Sequence, residues 1–244
     1  MHEQVLTLAK GIQALELCPE SDEFEGQQLS FMGLYSKNRE EYLTLDWACQ
    51  YNSVTTVALY DTLGSESVAY IVNQTGLTTI ACDVSLVEKL LLFKKTNGAK
   101  DSLKNIITFD ALGESGNPDV TSGHLLSGGP DGPALRALAN DLGVRVLHFK
   151  DIIQAGVNMS GGFKENLPTK DTVITLCYTS GTTGDPKGAM LTHANLTALL
   201  SGIINQEVTL GPGEMHLSYL PMAHIFEKVM ANGALYFGHS IGFY

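Results

Sequence analysis

Short apolar runs rich in β-branched residues alternate with helix-length segments along much of this chain, and that rhythm limits the fold more than any other feature. Leu29–Tyr35, Thr55–Tyr60, Thr78–Cys82, Asn105–Phe109 and Val144–Phe149 read as strands. Between them, Asn38–Tyr51 carries Tyr42, Leu45, Cys49 and Trp47 near helical spacing, with Trp47 assigned to the core. Ser65–Gln74 reads as a helix with Gly76 just past its end. Ser85 and Glu88 form a capping-box pattern ahead of Leu86, Leu90, Leu91 and Phe93. Pro133 opens a helix through Leu138 and Leu142, which Gly143 closes. Strands in strict alternation with helices imply βαβ units, hence an α/β fold with layered, mostly parallel sheets flanked by helices. Their near-continuous apolar character fits a sheet covered on both faces. The Gly, Ser, Pro and Asp-rich stretch between Leu112 and Pro133 reads as a long surface loop, and Ser160–Lys170 as a second connection.

Composition excludes several classes. With 44% hydrophobic residues among 244, the chain has enough apolar surface to offset the entropy of ordering, so it is not intrinsically disordered. Its length allows one or two domains. The net charge of −11 argues against a broad nucleic-acid-binding face, which needs clustered Lys and Arg. Small anionic ligands remain compatible, because a few backbone N–H groups and one lysine hold them against an acidic background. Cys18, Cys49, Cys82 and Cys177 are widely spaced with no C-x-x-C pair. Reduced, mostly buried thiols in a cytosol-facing protein are the expectation. Met1–Leu17 lacks a basic head followed by an apolar run, so no signal peptide is expected, and no run reaches the ~18 apolar residues of a membrane span.

One segment carries chemistry. A buried strand, Thr172–Tyr178, leads into Thr179-Ser180-Gly181-Thr182-Thr183-Gly184-Asp185-Pro186-Lys187-Gly188, and a helix follows from Thr192 as N-cap to about Asn205. Gly181, Gly184 and Gly188 let successive N–H groups face inward as an anion-binding nest. Thr179, Ser180, Thr182 and Thr183 add hydroxyl donors, and Lys187 adds a mobile positive charge. The combination suits a pyrophosphate or triphosphate. A Walker A loop is ruled out, because Lys187 lies between Pro186 and Gly188 rather than ahead of Ser or Thr at a helix start. A dinucleotide fingerprint is missing as well.

The run Tyr178–Gly188, continued by Ala189-Met190-Leu191-Thr192-His193, resembles the AMP-binding signature of adenylate-forming enzymes, and more narrowly that of the long-chain fatty acid–CoA ligases (long-chain acyl-CoA synthetases). Three further runs agree with this subgroup: Gly33–Arg39, Leu59–Gly64 and Ser218–Glu227. The resemblance covers roughly residues 29–240. It implies an ATP-dependent activation of a long-chain fatty acid to an acyl-adenylate with loss of pyrophosphate, then transfer to coenzyme A with loss of AMP. It places Thr179, Ser180, Gly181, Thr182, Thr183, Gly184 and Lys187 at the phosphates, with Lys187 toward the β- and γ-phosphates, and the Thr179 hydroxyl toward Mg²⁺. It sets His224 beside the acyl and adenylate pocket, as a catalytic residue together with Lys187. His193 is read as a structural helix-start residue, and Tyr60 and Asp61 as turn residues. The family pattern also implies that residues 1–244 form an incomplete N-terminal AMP-binding domain, breaking off in the apolar run Ala234–Gly238, with the small C-terminal domain absent. A catalytically inactive nucleotide- or acyl-binding fragment is the alternative. Peripheral association with endoplasmic reticulum, mitochondrial outer membrane or peroxisome is the implied setting, with no anchor in these residues.

Overall fold

The computed structural model describes residues 1–21, 24–97, 102–112, 132–179, 186–204 and 213–244. Helix α1 (His2–Ala14) precedes strand β1 (Ser30–Tyr35), α2 (Glu40–Tyr51), β2 (Val54–Leu59), α3 (Ser65–Thr75), β3 (Thr79–Cys82), α4 (Val87–Asn97) and β4 (Asn105–Thr108). Then follow α5 (Gly132–Asp141), β5 (Arg145–His148), α6 (Phe149–Asn158), β6 (Val173–Thr179), β7 (Lys187–Thr192), α7 (His193–Ile204), β8 (Met215–Ser218), α8 (Ile225–Phe237) and β9 (Ser240–Phe243). Seven strands form one sheet in the order β5-β4-β3-β1-β2-β6-β7, parallel throughout except for β7, which returns antiparallel to β6. Strands β8 and β9 pair in parallel as a separate two-stranded sheet.

The handedness of parallel crossovers assigns each helix to a face. A right-handed βαβ connection that moves one way along the sheet puts its helix on one side, and one that moves the other way puts it on the opposite side. The β1-α2-β2 and β5-α6-β6 crossovers move toward β6, and those through α3, α4 and α5 move away from it. Accordingly α3, α4 and α5 pack one core, through Val68, Ile71, Val72, Leu90, Leu91 and Leu135, against Phe31, Tyr35, Val57 and Ile80. Helices α1, α2 and α6 share the other, where Leu8, Ile12, Leu45 and Ile152 meet Met32, Leu34, Ala81 and Ile107. Alternate residues of β1 feed the two cores, so the strand is apolar on both faces, as the α/β reading expects.

Helices α1, α6 and α8 lay outside the sequence assignments. Helix α1 buries Val5, Leu8, Ala9 and Ile12, and α6 buries Phe149, Ile152 and Gly156; both patterns are i, i+3, i+4 or i+7 repeats that periodicity alone could have detected. Helices α1 and α6 meet backbone to backbone. A Cβ on Gly156 would lie 1.9 Å from the Thr7 carbonyl oxygen, and one on Gly11 2.0 Å from that of Ile152. The Ser160–Lys170 connection is strapped down, with the Gln13 amide donating to the Lys164 carbonyl (3.0 Å) and Phe163 stacked on Tyr51.

Several local expectations change. The Ser85/Glu88 capping box does not form: Val84–Leu86 is a 3₁₀ turn, α4 begins at Val87, and Asp83, ahead of the turn, spends its carboxylate on Ser36 and Lys37 instead. Lys187 opens a strand, not a loop end, because the register of β7 on β6 pairs Lys187 with Thr179. The apolar run Ala234–Gly238 is the last turn of α8, which Gly238, at φ +73°, closes in the left-handed region before β9. By contrast Gly76 (φ +63°) ends α3 as expected, and Trp47 is buried.

Candidate active site

In an open parallel sheet, ligands lie beyond the carboxyl ends of the strands, where neighbouring strands send their connections away from one another. This sheet has two such places. One lies between β1 and β3, since β1 leads toward β2 and β3 toward β4. The other lies between β2 and β6, since β2 leads back to β3 and β6 onward to β7. The first is filled by the protein itself. Arg39 donates to both oxygens of Asp110 (2.8 and 2.9 Å), to Glu41 (2.8 Å) and to Asp83 (3.2 Å), and lies over the Phe109 ring. Burial works against the guanidinium charge, but the Asp110 and Glu41 carboxylates outweigh it and hold Arg39 protonated. Asp110 is in turn held below the usual carboxylate range by the Arg39 hydrogen bond.

The second place carries the sequence-predicted loop. Thr179 ends β6 and Lys187 begins β7 directly opposite, so the pair forms the mouth of the connection. The Thr179 hydroxyl lies 3.5 Å from the Lys187 carbonyl oxygen, at the long limit for a hydrogen bond, and both residues are exposed. Among the described residues no carboxylate lies within salt-bridge distance of the Lys187 ammonium, which leaves that charge available. Ser180, Gly181, Thr182, Thr183 and Gly184 lie outside the described residues. Gly188 follows because Tyr178 fills the space beside it: a Cβ there would sit 3.0 Å from the ring, whose hydroxyl donates to Gln74 (2.7 Å).

Thr192 caps α7 as expected, in a reciprocal exchange with Asn195. The Asn195 N–H donates to the Thr192 hydroxyl (3.3 Å), and the Asn195 side-chain oxygen Oδ1 accepts from the Thr192 N–H (2.9 Å). His193 is the first residue of that helix, and its Nε2 is buried with no partner among the described residues. Burial, reinforced by the Lys228 charge, lowers its pKa, and Asp46 opposes the effect.

His224 is the N-cap of α8, not a residue of a plain turn. Its Nδ1 accepts from the Phe226 N–H at 3.1 Å. An accepting Nδ1 carries a lone pair, so the proton of the neutral ring sits on Nε2, and the exposed imidazole presents a donor outward. Four residues on, Lys228 turns into the core. Its ammonium bonds Asp46 at 2.5 Å and the Thr56 hydroxyl at 3.2 Å, while Gln50 donates to the other Asp46 oxygen (2.7 Å). Glu227 is fully buried and pairs with His216 (2.7 Å). Sequence reasoning missed this Asp46–Lys228 pair, since the two residues stand 182 positions apart and neither sits in a recognisable pattern. Among the described residues, no group of three or more His, Cys, Asp or Glu is arranged to hold a metal ion. Thr179 supplies one neutral oxygen, too little for a resident cation site.

The model of the family described as AMP-binding enzyme matches residues 1–244. This chain belongs to the AMP-binding enzyme family. Among relatives of AMP-binding enzymes, it is 34% identical over 215 residues to fatty acyl-CoA synthetase B of Dictyostelium discoideum, covering 88% of this chain and 28% of that one. It is 35% identical over 215 residues to long chain acyl-CoA synthetase 6, peroxisomal, of Arabidopsis thaliana (88% and 27%). It is 33% identical over 217 residues to human long-chain-fatty-acid–CoA ligase 1 (88% and 28%). The chain therefore spans less than a third of the length of these curated relatives. Its fold is that of the A domain of a carboxylic acid reductase from Segniliparus rugosus, solved with AMP and a co-purified carboxylic acid, at a TM-score of 0.74 and 20% identity over 99% of this chain and 36% of that one. A red-emitting luciferase from Phrixothrix hirtus superposes at 0.67 with 16% identity (99% and 39%).

Proposed function

We propose that this protein is an ATP-dependent ligase that activates a long-chain fatty acid, first to an acyl-adenylate and then to a coenzyme A thioester. In the first step a carboxylate oxygen attacks the α-phosphorus and pyrophosphate leaves. In the second the sulfur of the coenzyme A thiol, giving up its proton to solvent, attacks the acyl carbonyl carbon, and AMP leaves with the bonding electrons. The observation that carries this reading is the Thr179–Lys187 pair, which opens a glycine- and hydroxyl-rich stretch of sequence at the β2/β6 reversal of the sheet, with a Lys187 ammonium that meets no carboxylate among the described residues. The names of the long-chain acyl-CoA ligase relatives support the substrate class.

Charge builds on phosphate oxygens in both steps, so the work is positioning and electrostatic stabilisation. Lys187 neutralises charge on the departing pyrophosphate. The His224 Nε2–H donates to an oxygen of the reacting acyl phosphate, where extra negative charge develops. Were Mg²⁺ bound with the nucleotide, the Thr179 hydroxyl is the described group that would help hold it, and the cation would supply positive charge to the phosphate oxygens. Residues 1–244 contribute the phosphate-loop part of an adenylation domain, and the compartment is one where fatty acids meet a membrane surface, the peroxisome being named for one plant relative. Among the described residues no helix is long and apolar enough to cross a membrane.

Palmitate-dependent exchange of radiolabelled pyrophosphate into ATP tests the reading. Exchange that requires fatty acid and falls at least 100-fold in Lys187→Ala (about 3 kcal/mol of transition-state stabilisation) is the expected result. No exchange from protein that binds ATP would overturn it.

A further inference from the structure

The filled reversal between β1 and β3 has a use of its own. Asp83, at the end of β3, accepts from the Ser36 hydroxyl (2.7 Å) and the Lys37 N–H (3.1 Å), and so holds the chain leaving β1. The next residue, Asn38, reaches across to the segment that precedes α8. Its Nδ2 donates to the Leu220 carbonyl (2.6 Å), and to the Ser218 hydroxyl (2.9 Å) and carbonyl (3.1 Å). Its Oδ1 accepts from the Met222 N–H (2.8 Å). One side-chain amide thus satisfies polar groups on both sides of Pro221, a residue with no N–H to contribute. The Pro221 carbonyl in turn accepts from the His224 N–H at 2.8 Å, and the His224 ring caps α8. Hydrogen bonds joined by short covalent stretches of chain therefore link Asp83 at the centre of the sheet, through Lys37 and Asn38 and then the Leu220–Met222 turn, to the backbone of His224.

The geometry points to Asn38 as a positioning residue for His224 in the adenylation reaction. This inference rests on the ligase reading above for what His224 does, and on geometry alone for what Asn38 does. The arrangement is specific for an amide. Aspartate in its place would set a carboxylate oxygen against the Ser218 and Leu220 carbonyls, acceptor against acceptor, and alanine would leave both carbonyls and the Met222 N–H without their partner. A turn freed in this way lets the ring shift by an ångström or so, a displacement that costs on the order of 100-fold in rate.

The test is a double-mutant cycle on palmitate-dependent pyrophosphate exchange, with His224→Asn as the second substitution. Asparagine is an equally good N-cap, so this variant keeps α8 capped and removes only the distal donor. Asn38→Ala and Asn38→Asp are each expected to lower kcat by about 10- to 100-fold, with the KM for ATP within about twofold of the starting value. In the His224→Asn background, Asn38→Ala is expected to change the rate by less than about twofold, because its effect travels through a ring that is no longer there. Ser218→Ala, which removes one contact and leaves the rest, is expected to show the same pattern at smaller size. Amide hydrogen exchange on the 244-residue chain gives a readout independent of activity: Met222 and His224 exchange faster in Asn38→Ala or Ser218→Ala, with β1 and β3 unchanged. Equal fold-losses in the presence and absence of His224 would overturn the proposal, as would unchanged exchange at Met222 and His224. If unsubstituted protein shows no pyrophosphate exchange at all, the ligase reading fails, and the hold of Asn38 on the His224 turn stands or falls on the amide measurement.

Discussion

Replacing Lys228 by methionine removes one ammonium and nearly nothing else from the core, and the expected cost is large. Lys228 and Asp46 are 4% and 2% exposed, with 2.5 Å between Nζ and Oδ1. At an effective dielectric of about 20, two unit charges that close attract by roughly 7 kcal/mol. Desolvating each ion costs several kcal/mol, so the pair as a whole is close to neutral compared with two apolar residues. Breaking it on one side is different. In Lys228→Met the Asp46 carboxylate keeps its bonds from Thr56 (3.0 Å) and Gln50 (2.7 Å) but loses its counter-charge in a buried site. The expected loss is about 3–5 kcal/mol. With a urea m-value of about 2–3 kcal/mol per molar, the unfolding midpoint falls by about 1–2 M. Lys228→Met combined with Asp46→Asn removes both charges and keeps an amide able to bond Thr56 and Gln50, so most of the loss returns. Urea unfolding followed by circular dichroism measures all three proteins. His193 offers a second readout: Lys228 lowers its pKa and Asp46 raises it, so in Lys228→Met its ring protons titrate at higher pH. A single variant costing less than about 1 kcal/mol, with no recovery in the double variant, would refute the account of a desolvated, mutually dependent pair.

Gly156→Ala puts a methyl 1.9 Å from the Thr7 carbonyl oxygen, where a carbon–oxygen contact wants about 3.4 Å, so α1 and α6 must separate by about 1.5 Å. The better helix propensity of alanine returns about 1 kcal/mol, and thermal unfolding is expected to show a net loss of about 2 kcal/mol or more from overpacking. His193 makes stability fall on acidification: its folded pKa lies below the unfolded value near 6.5, so the contribution is complete above that pH and is lost as pH drops toward the folded pKa. His193→Gln is expected to flatten the stability profile between pH 7 and 5 relative to the unsubstituted protein, and equal slopes would contradict this. His224→Asn is expected to leave the unfolding midpoint within about 0.5 kcal/mol of its starting value while lowering pyrophosphate exchange at least tenfold; a loss of stability that parallels the loss of rate would reduce His224 to a cap.

Much of the fold was legible because its signals are local. The short apolar runs of β1 to β5, the amphipathic repeat of α3 and the glycines at 76 and 143 each declare an element from a few adjacent residues. The AMP-binding run was legible for the same reason. Strand β7 was not: Lys-Gly-Ala-Met-Leu-Thr has weak strand propensity, and only the free edge of β6 makes it pair. The capping box at Ser85 and Glu88 was a local pattern overruled at a distance, since Asp83 is taken by residues beyond β1.

The candidate site divides along the same line. The alternation of apolar runs and helix-length segments determined by itself that the chain makes an α/β sheet, and the glycine, hydroxyl and lysine spacing of residues 179–188 raised the expectation of a phosphate site, because hydrophobic periodicity and backbone conformational freedom act over a few residues. Only the tertiary structure decided that Arg39 fills the reversal between β1 and β3. Only it decided that Asn38 grips Ser218, Leu220 and Met222, and that Lys228 finds Asp46. Those partners lie some 180 residues apart in sequence. A polar side chain gains its specific partner only after burial removes water as the competing one, and which side chains are buried together is set by the order of strands in the sheet.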